Sequence, residues 1–182
     1  GRVDFGSGTI RLPQLNLDAE KAKKIERIVI TACGTASHAG MVGRLLIERI
    51  ARIPTSNEIA SEFRYSDPIV DENTVVLSIS QSGETADTLA AMEEARKHGA
   101  TTWSIVNAIG SQAMRISDGF ISMQTGPEIG VASTKAFTAP LVDLYMLAVL
   151  LADLRGTITT EQRKALVKDL SLIPELVGEC LD

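Results

Sequence analysis

Little in this sequence is aromatic: Phe, Trp and Tyr make up 4% of its 182 residues, and small and aliphatic side chains dominate the 45% that is apolar. That balance suits a parallel sheet buried under helices better than a β-sandwich, and the length fits one ordinary domain. Cysteine is scarce too. Cys33 and Cys180 sit at opposite ends of the chain, form no metal-ligand spacing, and fit a reducing, cytoplasmic compartment. A basic excess is missing: the formal net charge is -5, with both signs interspersed. The chain therefore has no electrostatic footprint for DNA or RNA, and local devices must hold any anionic ligand. No glycine-rich dinucleotide turn or P-loop is present. Residues 1–17 are polar and glycine-rich, unlike a signal peptide. The longest apolar stretch, residues 141–154, carries Asp143 and Asp153 and is too short to span a bilayer, so we expect a buried helix or a subunit interface. The chain opens on Gly1 and not on Met, which suggests a piece of a longer protein.

What is present alternates between two periods. Residues 27–33 (RIVITAC) form a β-branched run ending at Gly34 and read as a buried strand. Residues 75–80 (VVLSIS), 102–106 (TWSIV) and 118–123 (DGFISM) read the same way, and 55–60 as a weaker strand. Helices are expected over 18–26 (capped by Asp18), 36–53, 85–98, 111–116, 133–154 and 159–181, the last interrupted near Pro174. Strands alternating with helices predict an α/β fold, a five-stranded parallel sheet flanked by helices on both faces. The expected divisions are an irregular lead-in over 1–17, the main domain over 18–156, and a C-terminal helix over 157–182.

Ligands in open parallel sheets collect at the carboxyl ends of the strands. After residues 75–80 the chain runs directly through Gln81, Ser82, Gly83, Glu84 and Thr85 into a helix. Ser80, Ser82 and Thr85 supply hydroxyls, Gly83 permits a tight turn, and the helix behind presents unpaired N–H groups at its positive dipole end. Together they make a phosphate cradle without lysine or arginine. The same run also reads as an ordinary helix start, with a hydroxyl cap and an acidic first turn.

The first strand ends in a comparable turn, Cys33-Gly34-Thr35, either a second wall of the same pocket or a plain strand-to-helix connection. Cys33 has no identifiable histidine partner and reads as a buried thiol. His38 reads as structural and His98 as a helix C-terminal residue. Between the last strand and the long helix lies a third segment, residues 128–135 (EIGVASTK). Here Ser133 is a candidate to cap the helix while offering its hydroxyl to the ligand. Lys135 is a candidate charge partner or a surface residue, and Glu128 a candidate acid/base or a solvated loop residue.

At these three segments the sequence resembles the SIS (sugar isomerase) domain family. More narrowly, it is similar to the first SIS subdomain of the isomerizing glutamine:fructose-6-phosphate aminotransferases, the glucosamine-6-phosphate synthases. The runs that carry the likeness are ACGTASHAG (32–40), EIASEFRY (58–65), LSISQSGETADTL (77–89) and EIGVASTKAF (128–137), spread in family order over residues 27–155. The resemblance implies a fructose 6-phosphate or glucosamine 6-phosphate ligand. Ser80, Gln81, Ser82 and Thr85 would bind its phosphate, and Cys33, Gly34, Thr35, Val131 and Ser133 would line the sugar. It implies no metal and no cofactor. One departure stands out: Ala36 occupies the place of a family serine, and Ser37 is the neighbouring hydroxyl that could compensate.

The family's ring-opening histidine, proton-shuttling glutamate and Schiff-base lysine have no matching motif here, so no catalytic residue is assigned. The resemblance implies that they come from a second SIS subdomain and a C-terminal tail, and that a glutaminase domain supplies ammonia. It also implies a cytoplasmic homodimer with neither nucleic-acid nor membrane partners. Two alternatives stay open: a stand-alone single-SIS phosphosugar isomerase, with Glu128 the best base candidate, or a sugar-phosphate sensor. We further expect the exposed side of the 141–154 helix to dock a second subdomain or a second chain.

Overall fold

Four runs rich in apolar residues and one mostly polar edge run, TSNEI, set the sheet. In the computed structural model, which describes residues 1–181, they form β3 (Arg27–Ala32), β4 (Thr55–Ile59), β5 (Thr74–Ser80), β6 (Thr101–Val106) and β7 (Gly119–Ser122). All pair in parallel, in the order β4-β3-β5-β6-β7. The chain steps from β3 outward to β4, then returns across β3 to lay down β5, β6 and β7. The order therefore reverses between β3 and β5, and a crevice opens there beyond the strands' carboxyl ends.

Alternate residues of each strand serve opposite faces. On one face Ile28, Ile30, Leu77, Ile79, Trp103 and Ile105 pack against Ile47 of α2 (Thr35–Ile50) and Leu144, Leu147 and Leu151 of α6 (Lys135–Arg155). On the other, Val29 and Val76 meet α3 (Ala60–Phe63) and Ala91 and Ala95 of α4 (Ala86–Lys97). Val106 there meets Leu89, Met92 and Ala113, the last from α5 (Gln112–Ile116). Helices thus cover both faces, as expected from the alternating pattern. Before the sheet, α1 (Ala19–Lys24) starts at Asp18, whose carboxylate accepts from the Lys21 N–H at 2.8 Å.

Three expectations need correction. Residues 1–17 are not irregular. They hold a two-stranded antiparallel hairpin, β1 (Val3–Asp4) and β2 (Thr9–Ile10), and a 3-10 turn over Pro13–Leu15, whose Ile10, Leu12 and Leu15 enter the core. The final helix, α7 (Thr160–Glu179), runs unbroken through Pro174. A single proline removes one N–H, and its fixed φ is compatible with a helix.

The third concerns α6. It is 21 residues long and apolar enough to cross a membrane by length and composition, yet no residue over 141–154 is exposed. The helix is consumed by packing against α2 and the sheet and leaves no free apolar side for docking. Exposed apolar residues lie instead on α2 (Met41, Val42, Leu45) and late in α7 (Leu172, Leu176, Val177).

Candidate functional site

A cleft of about 260 Å³ opens at the reversal of strand order, lined by residues of three loops. From the turn after β3 come Cys33, Thr35 and Ala36. The loop after β5 gives Ser80, Gln81, Ser82 and Thr85, and the segment before α6 gives Glu128, Gly130, Val131 and Ser133. Of the nine residues assigned to phosphate or sugar binding from sequence, all but Gly34 line it. A second cavity, about 340 Å³, lies at the opposite end of the sheet beside Val75, Thr101 and Trp103. It lacks both the hydroxyl loop and the strand carboxyl ends, so the cleft is the candidate site.

The loop after β5 is knitted to itself and to the next crossover. Ser80 Oγ accepts from the Gly83 N–H at 2.9 Å, and Ser82 Oγ accepts from the Glu84 N–H at 3.2 Å. The Gln81 carbonyl accepts from the N–H groups of Asn107 and Ala108, and the Gly83 carbonyl from that of Ala113. Gly83 has φ +66°, and a Cβ there would stand 2.2 Å from Ser111 Oγ, so only glycine fits both backbone and neighbour. Thr85 is the N-cap of α4, but its side chain does not cap the helix. Its Oγ1 lies 3.4 Å from Ser80 Oγ and faces the cleft.

The turn after β3 behaves alike. Gly34 takes φ 58° and ψ -137° as N-cap of α2, offering no side chain to cap it. Two helices, of 16 and 12 residues, therefore begin at the cleft without side-chain caps, one on either side of the crevice. Their first-turn N–H groups and dipole ends supply positive potential where, among the described residues, no lysine or arginine lines the wall.

The third segment differs from what its sequence suggests. Ser133 lines the cleft but does not cap α6, whose N-cap is Thr134. The capping group is Glu128: its carboxylate accepts from Thr134 Oγ1 at 3.0 Å, the Ala136 N–H at 3.0 Å and the Thr134 N–H at 3.4 Å. These bonds, that from Ala136 first, hold the Glu128 carboxyl below its ordinary pKa. A carboxylate so engaged is a fastener and a poor general base. Lys135 is exposed and does not line the cleft.

Ser37 does not replace the hydroxyl absent at Ala36. It is buried, and its Oγ accepts from Asn57 Nδ2 of β4 at 3.2 Å. Cys33 is half-buried at the cleft wall, and His38 is exposed on α2.

Sequence reading missed two residues. Asn107, at the end of β6, donates from Nδ2 to the Gly126 carbonyl at 2.7 Å and accepts on Oδ1 from both Thr125 N–H and Thr125 Oγ1. It struts the third segment from below; its signal was its place immediately after a strand. Thr88, one turn into α4, lines the cleft with a buried hydroxyl that has no partner among the described residues. Its position inside a helix gave no signal.

The SIS domain model matches residues 22–150 of this chain. Over 181 residues the chain is 45% identical to a glutamine--fructose-6-phosphate aminotransferase [isomerizing] of Symbiobacterium thermophilum, covering 100% of this chain and 30% of that protein. The corresponding protein of Bacteroides thetaiotaomicron is 48% identical over 181 residues, again covering 100% of this chain and 30% of the relative. The C-terminal domain of glucosamine-fructose-6-phosphate aminotransferase from Francisella tularensis superposes with a TM-score of 0.89 at 40% identity, covering 96% of this chain and 49% of that one. The chain thus spans about 30% of the length of the curated relatives it matches. With the fold, the crevice and the family model in agreement over most of its length, the chain belongs to the SIS domain family.

Proposed function

We propose that this chain is the phosphosugar-binding half of the isomerase domain of a glutamine:fructose-6-phosphate aminotransferase, the enzyme class that makes glucosamine 6-phosphate from fructose 6-phosphate and glutamine. The observation that carries the reading is the cleft itself: two helix N-termini without side-chain caps and a hydroxyl-rich loop converge at the switch point of the sheet. In this reading Ser80, Gln81, Ser82 and Thr85 bind the phosphate, with α4 behind them. Cys33, Gly34, Thr35, Val131 and Ser133 surround the sugar, and Ala36 leaves that wall one hydroxyl short. Anchoring the phosphate holds the reacting carbons in place for groups supplied by other segments. Ring opening, proton transfer and imine chemistry belong to a second SIS subdomain and tail, and ammonia to a glutaminase domain. The working enzyme is a cytoplasmic homodimer. Residues 18–156 are the binding unit and 157–182 lead toward the second subdomain.

A stand-alone isomerase using Glu128 as base is disfavoured, because that carboxylate is committed to the start of α6 and its pKa is lowered. Calorimetric titration of fructose 6-phosphate and glucosamine 6-phosphate into this chain tests the reading. Hydrogen bonds to a charged group are worth about 1.5–3 kcal/mol each, so Ser82→Ala/Thr85→Ala should weaken binding at least tenfold. Equal binding by that variant, or equal binding of unphosphorylated fructose, would refute it.

A further inference from the structure

The first residues of the chain and the sugar-facing segment meet at one side chain. Arg2, just before β1, donates from Nη1 to Asp143 Oδ1 at 2.8 Å and from Nη2 to the Ser122 carbonyl. Ser122 ends β7, and Asp143 sits about two turns inside α6. The two acceptors thus flank residues 123–134, the stretch that brings Glu128, Gly130, Val131 and Ser133 to the cleft. The corner is enclosed: the Arg2 and Asp143 side chains are 21% and 4% exposed. Among the described residues no other hydrogen bond reaches the Asp143 carboxylate, and the second oxygen, Oδ2, is buried without a partner.

Arg2 is itself held by the hairpin. Its carbonyl accepts from the Arg11 N–H at 2.7 Å, and β1 pairs with β2. The hairpin turn is seated on α7, where Arg163 Nε donates to the Gly8 carbonyl at 2.8 Å. A continuous set of contacts therefore joins α7, the hairpin and both flanks of the cleft segment, while among the described residues Arg2 makes no hydrogen bond to a residue that lines the cleft.

We infer that Arg2 is a positioning residue for the sugar-facing segment. By bridging the flanks of 123–134, it makes the placement of that segment, and the affinity of the cleft, depend on how the first residues of the chain are seated. The part about affinity rests on the phosphosugar reading; the part about placement does not.

Amide hydrogen exchange of this chain without ligand, read by mass spectrometry, tests placement directly. Arg2→Ala should speed exchange over 124–134 about tenfold, with β5, α4 and the 80–85 loop protected as before, and Arg2→Lys should restore part of the protection. Fructose 6-phosphate titration should then show affinity lowered about three- to tenfold in Arg2→Ala. Unchanged exchange over 124–134 would overturn the inference. So would a uniform rise across β5 and α4, since that reports only a general loss of stability. If the unaltered chain binds no sugar phosphate, the phosphosugar reading fails, and the exchange experiment still decides the role of Arg2.

Discussion

Two loops face each other across the cleft, and they are built by opposite means. The loop after β5 is fixed largely through backbone N–H groups: four of its carbonyl or hydroxyl oxygens accept N–H groups from within itself or from the following crossover, and Gly83 is buried against Ser111. The segment after β7 is long and largely exposed, with Ile129 92% exposed and Val131 fully so; Asn107 and Glu128 hold it at a few points, and Arg2 bonds only its flanks, at Ser122 and Asp143. Segments with few buried contacts and exposed backbone open at low free energy. The wall that would take a phosphate is thus preformed. The wall that would take the sugar is adjustable, which suits the ligand of the proposed function, whose phosphate would stay constant while the groups on its sugar carbons change.

The strongest way to break this contrast is to damage the rigid side. Gly83→Ala imposes a side chain at φ +66° and a contact of 2.2 Å with Ser111 Oγ. Strain and overpacking together should destabilise the fold by about 3 kcal/mol or more and abolish sugar-phosphate binding, read by urea unfolding and calorimetry. Adding Ser111→Gly should relieve the clash but not the backbone strain, so recovery should be partial.

Asn107→Ala comes next. It removes three hydrogen bonds to Thr125 and Gly126 from a buried side chain, for an expected loss of about 2 kcal/mol. Exchange should rise over 124–134 and not over 80–85; equal rises in both loops would contradict the contrast.

Asp143 gives the adjustable side a pH dependence. Burial pushes its pKa up to about 7, outweighing the pull of Arg2, which reaches only one of its oxygens. In the unfolded chain the same carboxyl ionises near pH ~4. Between those values the folded state holds the extra proton, so the stability this group contributes at low pH is lost as pH rises through about 7. The slope is at most about 1.4 kcal/mol per pH unit, and Asp143→Asn should flatten it in unfolding curves taken across that window.

The smallest effect is expected at Glu128. Its pKa is lowered, so its contribution is present above the unfolded carboxyl value and lost as pH falls through the folded one. Glu128→Gln should loosen the start of α6 in exchange experiments and leave binding within about threefold, since the amide oxygen can still accept. A collapse of binding far beyond that would return Glu128 to the list of reactive groups.

Much of this was readable in the chain because the signals are local. Residues 75–80 are β-branched and apolar, and they run directly into a hydroxyl-rich turn and a helix. Strand, loop and helix start follow from adjacent residues and the strand-end rule. The hairpin in 1–17 was not readable, because its strands are two residues each and gain stability by seating on α7 and α6. Nor was the cap of α6: Ser133 has the right chemistry beside the helix, but the folded loop brings Glu128 there first. That Ser37 does not compensate for the hydroxyl absent at Ala36 was not readable either, since it depends on β4 placing Asn57 beside it.

The sequence alone determined the order of the five strands of the main sheet and of the longer helices, and the chemistry carried to the sheet's carboxyl edge, since periodicity and turn residues act between near neighbours. Only the tertiary structure decided which hydroxyls face the cleft, which glutamate is spent on a helix end, and that Arg2 closes a corner 141 residues away in sequence. Those outcomes depend on which distant groups can satisfy a buried polar atom, and no local pattern encodes that.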